Sequence, residues 1–251
     1  QPVHVRQHRV VEVPTAGAHA GELLRAADLA LHAAKEDGKG QAVVHDPTRT
    51  AQQLSHFTVA MNLPGVVERG ELELVYQPLI RLSDGGMHSV EALLRWNHPE
   101  LGQLSPDLFV RIAEESSAIV PMGAWVLERA CADLQLSSWP SVNINASVRQ
   151  LYSPSFVNDV RRCLDQGGLA PERLRVEVTE SVIMHADDPA PMNALHALAD
   201  LGVKIVMDDF GTGYSNLAAL RRLPLHELKL AGTFLKGLGA DRARTLSTSR
   251  S

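Results

Sequence analysis

Val203-Lys204-Ile205-Val206-Met207-Asp208-Asp209-Phe210-Gly211-Thr212-Gly213-Tyr214 is the stretch on which the fold turns. It begins with a short β-branched-rich run of the kind that forms a buried strand, and it stops on two adjacent carboxylates and a glycine-rich turn. Neighbouring strand residues point to opposite faces, so Asp208 and Asp209 can serve one cluster only if the backbone bends there. Gly211 and Gly213 make that bend cheap. The same pair also fits a helix start in which one Asp is a cap. Three other apolar runs tip the balance. Val90 to Trp96 carries Glu91, Ser141-Val142-Asn143-Ile144-Asn145 ends on Asn145, and Leu174-Arg175-Val176-Glu177-Val178 carries Glu177. A parallel sheet delivers such side chains to one rim, where carboxylates and an amide make a cradle for hard divalent cations.

Outward from these runs, strand-like and helix-like segments alternate from about residue 72. Strands are expected over 72–82, 90–96, 141–147, 174–180, 203–208 and 227–230. Helices are expected over 105–115, 122–136, 155–167, 190–201 and 215–223, with apolar residues three and four apart. This alternation predicts an α/β fold with a parallel sheet, and a (β/α)8 barrel of the TIM type is the natural candidate. Six strands are read where eight are needed, and about 180 residues follow residue 71, against the roughly 250 of a typical barrel. The barrel is therefore expected to be truncated after about six strands, with a polar, aperiodic tail over 240–251. Residues 1–50 read as a small α+β remnant, with a helix over 20–34 and a strand over 41–45. Residues 51–70 read as a linker helix, and 71–251 as the main domain.

Composition narrows the function. The chain has 251 residues, 45% of them hydrophobic, and a formal net charge of -5, so it can bury a sizeable core. A mildly acidic balance excludes a nonspecific binder of nucleic-acid polymers, which concentrates lysine and arginine. Cys131 and Cys163 lack metal-binding spacing and read as buried free thiols of a reducing, cytoplasmic protein. No apolar run approaches the roughly 18 to 20 residues of a membrane helix. The first residue is Gln1 rather than Met, which predicts a piece of a longer parent that membrane segments elsewhere could anchor.

Several motifs together carry a resemblance. Tyr76-Gln77-Pro78, Glu91-Ala92-Leu93-Leu94-Arg95-Trp96 with His98-Pro99, Asn145 to Leu151, Glu177-Val178-Thr179-Glu180-Ser181, Asp208 to Ser215, Leu223-Pro224 and Leu228-Lys229-Leu230 occur in this order. Over about residues 72–235 the chain resembles the EAL family of cyclic di-GMP phosphodiesterases. Residues 22–31 with Ala34-Lys35 and Gly38 resemble the C-terminal end of a GGDEF domain, a family that commonly precedes an EAL domain. Its glycine-glycine-acid-acid-Phe loop is not in the sequence, so no cyclase activity is expected.

The resemblance implies hydrolysis of cyclic di-GMP to linear pGpG with Mg²⁺ or Mn²⁺ in a two-metal site. Glu91, Asn145, Glu177 and Asp208 match the metal ligands, and Asp209 matches the carboxylate of the second metal. Lys229 matches a lysine that contacts the attacking water. Gln77 and Arg95 match residues that hold the dinucleotide, and Glu180 matches the anchor of the loop over Asp209 to Ser215, through which a homodimer is implied. The chemistry agrees: oxygen ligands suit Mg²⁺ or Mn²⁺ better than zinc, Arg95 offers a planar fork to phosphate, and Lys229 offers a compact charge. The sequence departs from the family at Ala231, where an aspartate is usual, and in having no counterpart of a glutamate on the seventh strand or a glutamine near the eighth. An inactive module that binds cyclic di-GMP or a protein partner is the alternative expectation.

Overall fold

The computed structural model describes residues 56–185, 187–211 and 220–232. The chain divides into two compact units at Met61 and Asn62. The first contributes only the start of a helix over 56–62 to the described residues, so the expected helix over 20–34 and strand over 41–45 lie outside them. The expected linker helix over 51–70 is described only from 56, and it gives way to turns over 63–70. Gly65 and Gly70 take positive φ there, and Arg69 binds back to the Pro64 carbonyl.

The second unit is a seven-stranded mixed sheet with helices packed on it. In chain order its elements are β1 (Leu72–Ile80), β2 (Met87–His98), β3 (Gly102–Leu104), α1 (Pro106–Ser116), α2 (Ile119–Leu136), β4 (Val142–Asn145), α3 (Val148–Leu151), α4 (Phe156–Gly167), β5 (Leu174–Thr179), α5 (Pro189–Asp200), β6 (Lys204–Phe210) and β7 (Glu227–Leu230). The order across the sheet is β1-β2-β4-β5-β6-β7, with β3 paired to β2. From β2 to β7 the path runs parallel, whereas β1 and β3 are antiparallel to β2.

All six expected strands are present. The seventh, β3, is three residues long and too short to show a period. The expected strand over 141–147 stops at Asn145 because Ser147 begins α3 with a capping box: its hydroxyl accepts from the Gln150 N–H, and the Gln150 side chain accepts from the Ser147 N–H. Gln150 reaches that place because Gly123 on α2 has no side chain; a Cβ there would lie 1.9 Å from Gln150 Nε2. The other helices start and stop for ordinary reasons. Pro106 and Pro189 occupy first turns, Asp188 accepts from the Ala190 N–H at 3.0 Å, and Gly168 ends α4 in the left-handed region. The expected helix over 215–223 is described only at 220–223, and residues 233–251, where the two further strand-helix units of an eightfold barrel were expected to be missing, lie outside the described residues.

The two faces of the sheet differ. Val142, Ile144, Leu174, Val176, Val178, Ile205 and Met207 alternate along β4, β5 and β6 toward the helices and are almost wholly buried with Leu127, Leu134, Leu195 and Leu198. Each such side chain stabilises the fold by about 1.5–3 kcal/mol through removal from water. Trp96, fully buried, meets Phe109 edge-on at 5.7 Å and donates its indole N–H to Glu71 at 2.9 Å. The opposite face carries the intervening polar residues, with Ser89, Ser141, Asn143 and Glu177 all buried.

At one end of that polar face Arg175 pairs with Glu227 and donates to Ser141 Oγ at 2.9 Å. Burial alone would raise the Glu227 carboxyl, but the Arg175 hydrogen bond and charge outweigh it and leave the group below its ordinary value of 4.5. A lowered carboxyl contributes stability above 4.5 that disappears as pH falls through the lowered value. Glu227→Gln is therefore expected to cost about 1–2 kcal/mol near neutral pH, between an exposed and a fully buried pair. The gap from the parent should close as chemical denaturation is repeated at progressively more acidic pH below 4.5.

Candidate functional site

Strand alternation puts Glu91 of β2, Asn145 of β4, Glu177 of β5, Asp208 of β6 and Lys229 of β7 on the polar face. The register brings them together: Asn145 lies opposite Glu177, and Thr179 lies opposite Asp208. One carboxylate oxygen each from Glu91, Glu177 and Asp208 falls within 4.8 Å of the others. The Lys229 ammonium donates to Glu91 Oε2 at 2.7 Å and to Glu177 Oε1 at 2.5 Å. Asn145 Nδ2 donates to Glu91 Oε1 at 3.1 Å.

Three carboxylates so close repel one another, and burial adds to the cost of ionising them. Burial raises the Glu177 carboxyl against the pull of Lys229 and Asn143. Asp208 is raised for the same first reason, with Lys229 opposing. For Lys229, burial favours the neutral amine, yet Glu177 and Glu91 outweigh it and keep the ammonium strongly protonated. The donor set fits a hard divalent cation. It offers oxygen ligands only, and Glu177 Oε2 is a buried acceptor with no hydrogen-bond partner.

The remaining residues singled out in the sequence are placed differently. β6 runs on through both aspartates to Phe210, and its register to β7 shifts between Met207 and Phe210. The bend expected here is made by Asp209 itself, at φ +53°, with Gly211 at +96°. Asp209 is exposed and its backbone N–H donates to Asp208 Oδ1 at 2.9 Å. It is not one of the three clustered carboxylates. Thr212, Gly213 and Tyr214 lie outside the described residues. Glu180, buried, accepts the Gly211 N–H on Oε2 at 2.9 Å, which ties down the chain just after Asp209. Arg95 stands four residues along β2 from Glu91, on the same face, and lines a cleft of about 1030 Å³ that also contains Asn145, Asp208 and Asp209. Gln77 lies across from Glu91 in the β1–β2 register, exposed and outside the residues that line this cleft.

Two groups of residues were not singled out from sequence. Asn143 donates Nδ2 to Glu177 Oε1 at 2.5 Å. Its signal was available in the alternation of Ser141, Asn143 and Asn145 with Val142 and Ile144. Along the cleft wall, Arg149 holds the Glu115 carbonyl and the Ser117 hydroxyl at 3.2 and 2.6 Å, and Tyr152 donates to Asp188 at 2.8 Å. These come from separate elements, and no spacing in the sequence announces their meeting.

This geometry agrees with what the chain is similar to. The EAL domain family profile matches residues 60–249. Two curated relatives come from Pseudomonas aeruginosa. Cyclic di-GMP phosphodiesterase NbdA is 39% identical over 235 residues, covering 91% of this chain and 30% of the relative. The bifunctional diguanylate cyclase/cyclic di-GMP phosphodiesterase MucR is 36% identical over 255 residues, covering 96% and 37%. The chain thus spans only about a third of the length of either. Among solved structures, the PaMucR phosphodiesterase in complex with c-di-GMP is 40% identical with a TM-score of 0.67, over 73% of this chain and 76% of that one. The EAL enzyme Bd1971 bound to cAMP and cyclic-di-GMP is 29% identical with a TM-score of 0.68, over 88% and 59%. With the profile spanning most of the chain and the acidic cluster at the strand ends, the chain belongs to the EAL domain family.

Proposed function

We propose that this chain hydrolyses one phosphodiester bond of cyclic di-GMP to give linear pGpG, using two Mg²⁺ or Mn²⁺ ions. The observation that carries the reading is the meeting of Glu91, Glu177 and Asp208 within 4.8 Å beside Lys229. The names of the relatives NbdA and MucR, both described as cyclic di-GMP phosphodiesterases, support the substrate. Glu91, Asn145, Glu177 and Asp208 are assigned to hold the ions, with Asp209 serving the second. Such ions supply a more acidic bound water and charge stabilisation at the leaving oxygen.

The chain's own residues do the rest. The Lys229 ammonium is held protonated by its two carboxylates and has only protons to donate. Its assigned role is therefore to orient the attacking water, not to deprotonate it. Arg95 is assigned to a phosphate of the dinucleotide through its planar fork, and Gln77 to holding the same dinucleotide. Glu180 fixes the segment after Asp209, and we assign dimer contacts to the loop that follows. Residues 1–50 are assigned to the end of a GGDEF domain, 51–70 to a linker, 71–251 to the EAL domain, and the protein to the cytoplasm.

One observation favours a second reading, a receptor that binds cyclic di-GMP without cleaving it. Ala231, buried at 4% exposure, follows the Lys229 strand and has no group to offer to a cation or water. Chromatography of pGpG formation with Mg²⁺ or Mn²⁺ separates the two. Turnover is expected, together with a loss of at least about a hundredfold in Glu91→Gln, a scale reached even when a ligand's supporting partner is removed. Calorimetric binding with no turnover would replace the phosphodiesterase reading by the receptor. Absence of both would dismiss the two together.

The raised Asp208 carboxyl gives a second test. A carboxyl raised in the folded state lends stability below its ordinary value and loses it as pH rises, so the ionised Asp208 costs stability near neutral pH. Asp208→Asn is expected to raise the metal-free Tm by about 2–4 °C, the shift that about 1 kcal/mol makes in a domain of this size. Added Mn²⁺, which should raise the parent's Tm, is expected to leave the variant's nearly unmoved in a calorimetric melt.

A further inference from the structure

We infer that Asn143 is a positioning residue for the metal site: it holds Glu177 through one carboxylate oxygen so that the other is presented to the cation. This rests on the metal-site reading above and adds to it a residue outside the ligand set. Two donors, Asn143 Nδ2 and Lys229 Nζ, crowd onto Glu177 Oε1, each at 2.5 Å. Oε2 of the same carboxylate is buried and has no hydrogen-bond partner. The asymmetry is that of a ligand oriented in advance. One oxygen is saturated, and the other keeps its lone pairs.

The orientation of the amide is determined by its neighbour. Turned over, Asn143 would set its carbonyl oxygen against Glu177 Oε1, and two acceptors would face each other. In the orientation adopted, Asn143 Oδ1 is itself buried without a partner, and the residue is 1% exposed. An apolar side chain at this place on the polar face would leave no such orphan, so the amide gives the fold alone a poor return. Its benefit lies at Glu177. Register reinforces the role: Asn143 is level with Glu91 on one neighbour and Arg175 on the other, one step below the row that holds Asn145 and Glu177. It supports Glu177 from beneath.

The test is Mn²⁺ titration of the metal-free full chain by calorimetry, for the parent, Asn143→Ala and Asn143→Leu, the last keeping the branched shape. Both variants are expected to bind Mn²⁺ about 10–100-fold more weakly, the usual effect of losing a ligand's hydrogen-bond partner. Their metal-free far-ultraviolet spectra should match the parent's, and their melts should stay cooperative. Turnover should show the same split, with a higher Mn²⁺ requirement and a kcat that largely recovers at saturating Mn²⁺, which a merely structural defect would not give. If one variant fails to fold, the other is read. If neither folds, Asn143 is structural and the inference is rejected. Variant affinities within twofold of the parent's overturn it while leaving the metal site standing, whereas a parent that binds no Mn²⁺ removes the metal site and this inference with it.

Discussion

Lys229 is the group on which the polar face depends. Carboxylates from β2, β5 and β6 converge in a partly dry place, where their mutual repulsion calls for a cation among them. The ammonium does this from β7, bridging Glu91 and Glu177. Burial and mutual repulsion still hold Glu177 and Asp208 above their ordinary range. The arrangement is thus only partly neutralised by the chain itself, and a divalent cation would relieve what remains. Stability and the cation affinity proposed for this cluster would draw on the same set of charges in opposite senses.

That tension is tolerable because the two faces of the sheet are chemically separate. The face toward α2, α4 and α5 is a continuous apolar core, and it stabilises the domain without involving the site. The other face can then hold buried polar groups, including Glu177 at 0% exposure, that a small domain would otherwise be ill able to bear. Arg175 and Glu227 at one end, and the clustered carboxylates near the strand ends, divide this face into a paired region and a region left with acceptors to spare.

Much of this was legible in the sequence, for physical reasons that can be named. Period-two alternation in Ser141 to Asn145 and Leu174 to Val178 marks both the strands and the face their polar residues share. Glu91, Asn145, Glu177 and Asp208 stand out as acidic or amide side chains at or near the ends of four apolar runs. β3 was missed because three residues carry no period, and the end of β4 was set two residues late because the Ser147–Gln150 capping box was not weighed against the apolar run. At Asp208-Asp209 the bend was foreseen but assigned to the glycines, whereas Asp209 itself adopts the left-handed conformation that aspartate tolerates better than most residues. The pairing of Asn143 with Glu177 joins residues 34 positions apart, and alternation gives the shared face but not which neighbour an amide will choose.

Gly123 connects the helical layer to this chemistry. By leaving room for Gln150, it lets that side chain close the cap that turns the backbone immediately after Asn145. Even a methyl group there would push on the glutamine, loosen the cap and free the end of β4, so that the Asn145 amide would lose its bearing on Glu91. A residue on the outer helix, with no side-chain polar atom of its own to contribute, thereby governs how sharply one edge of the acidic cluster is defined.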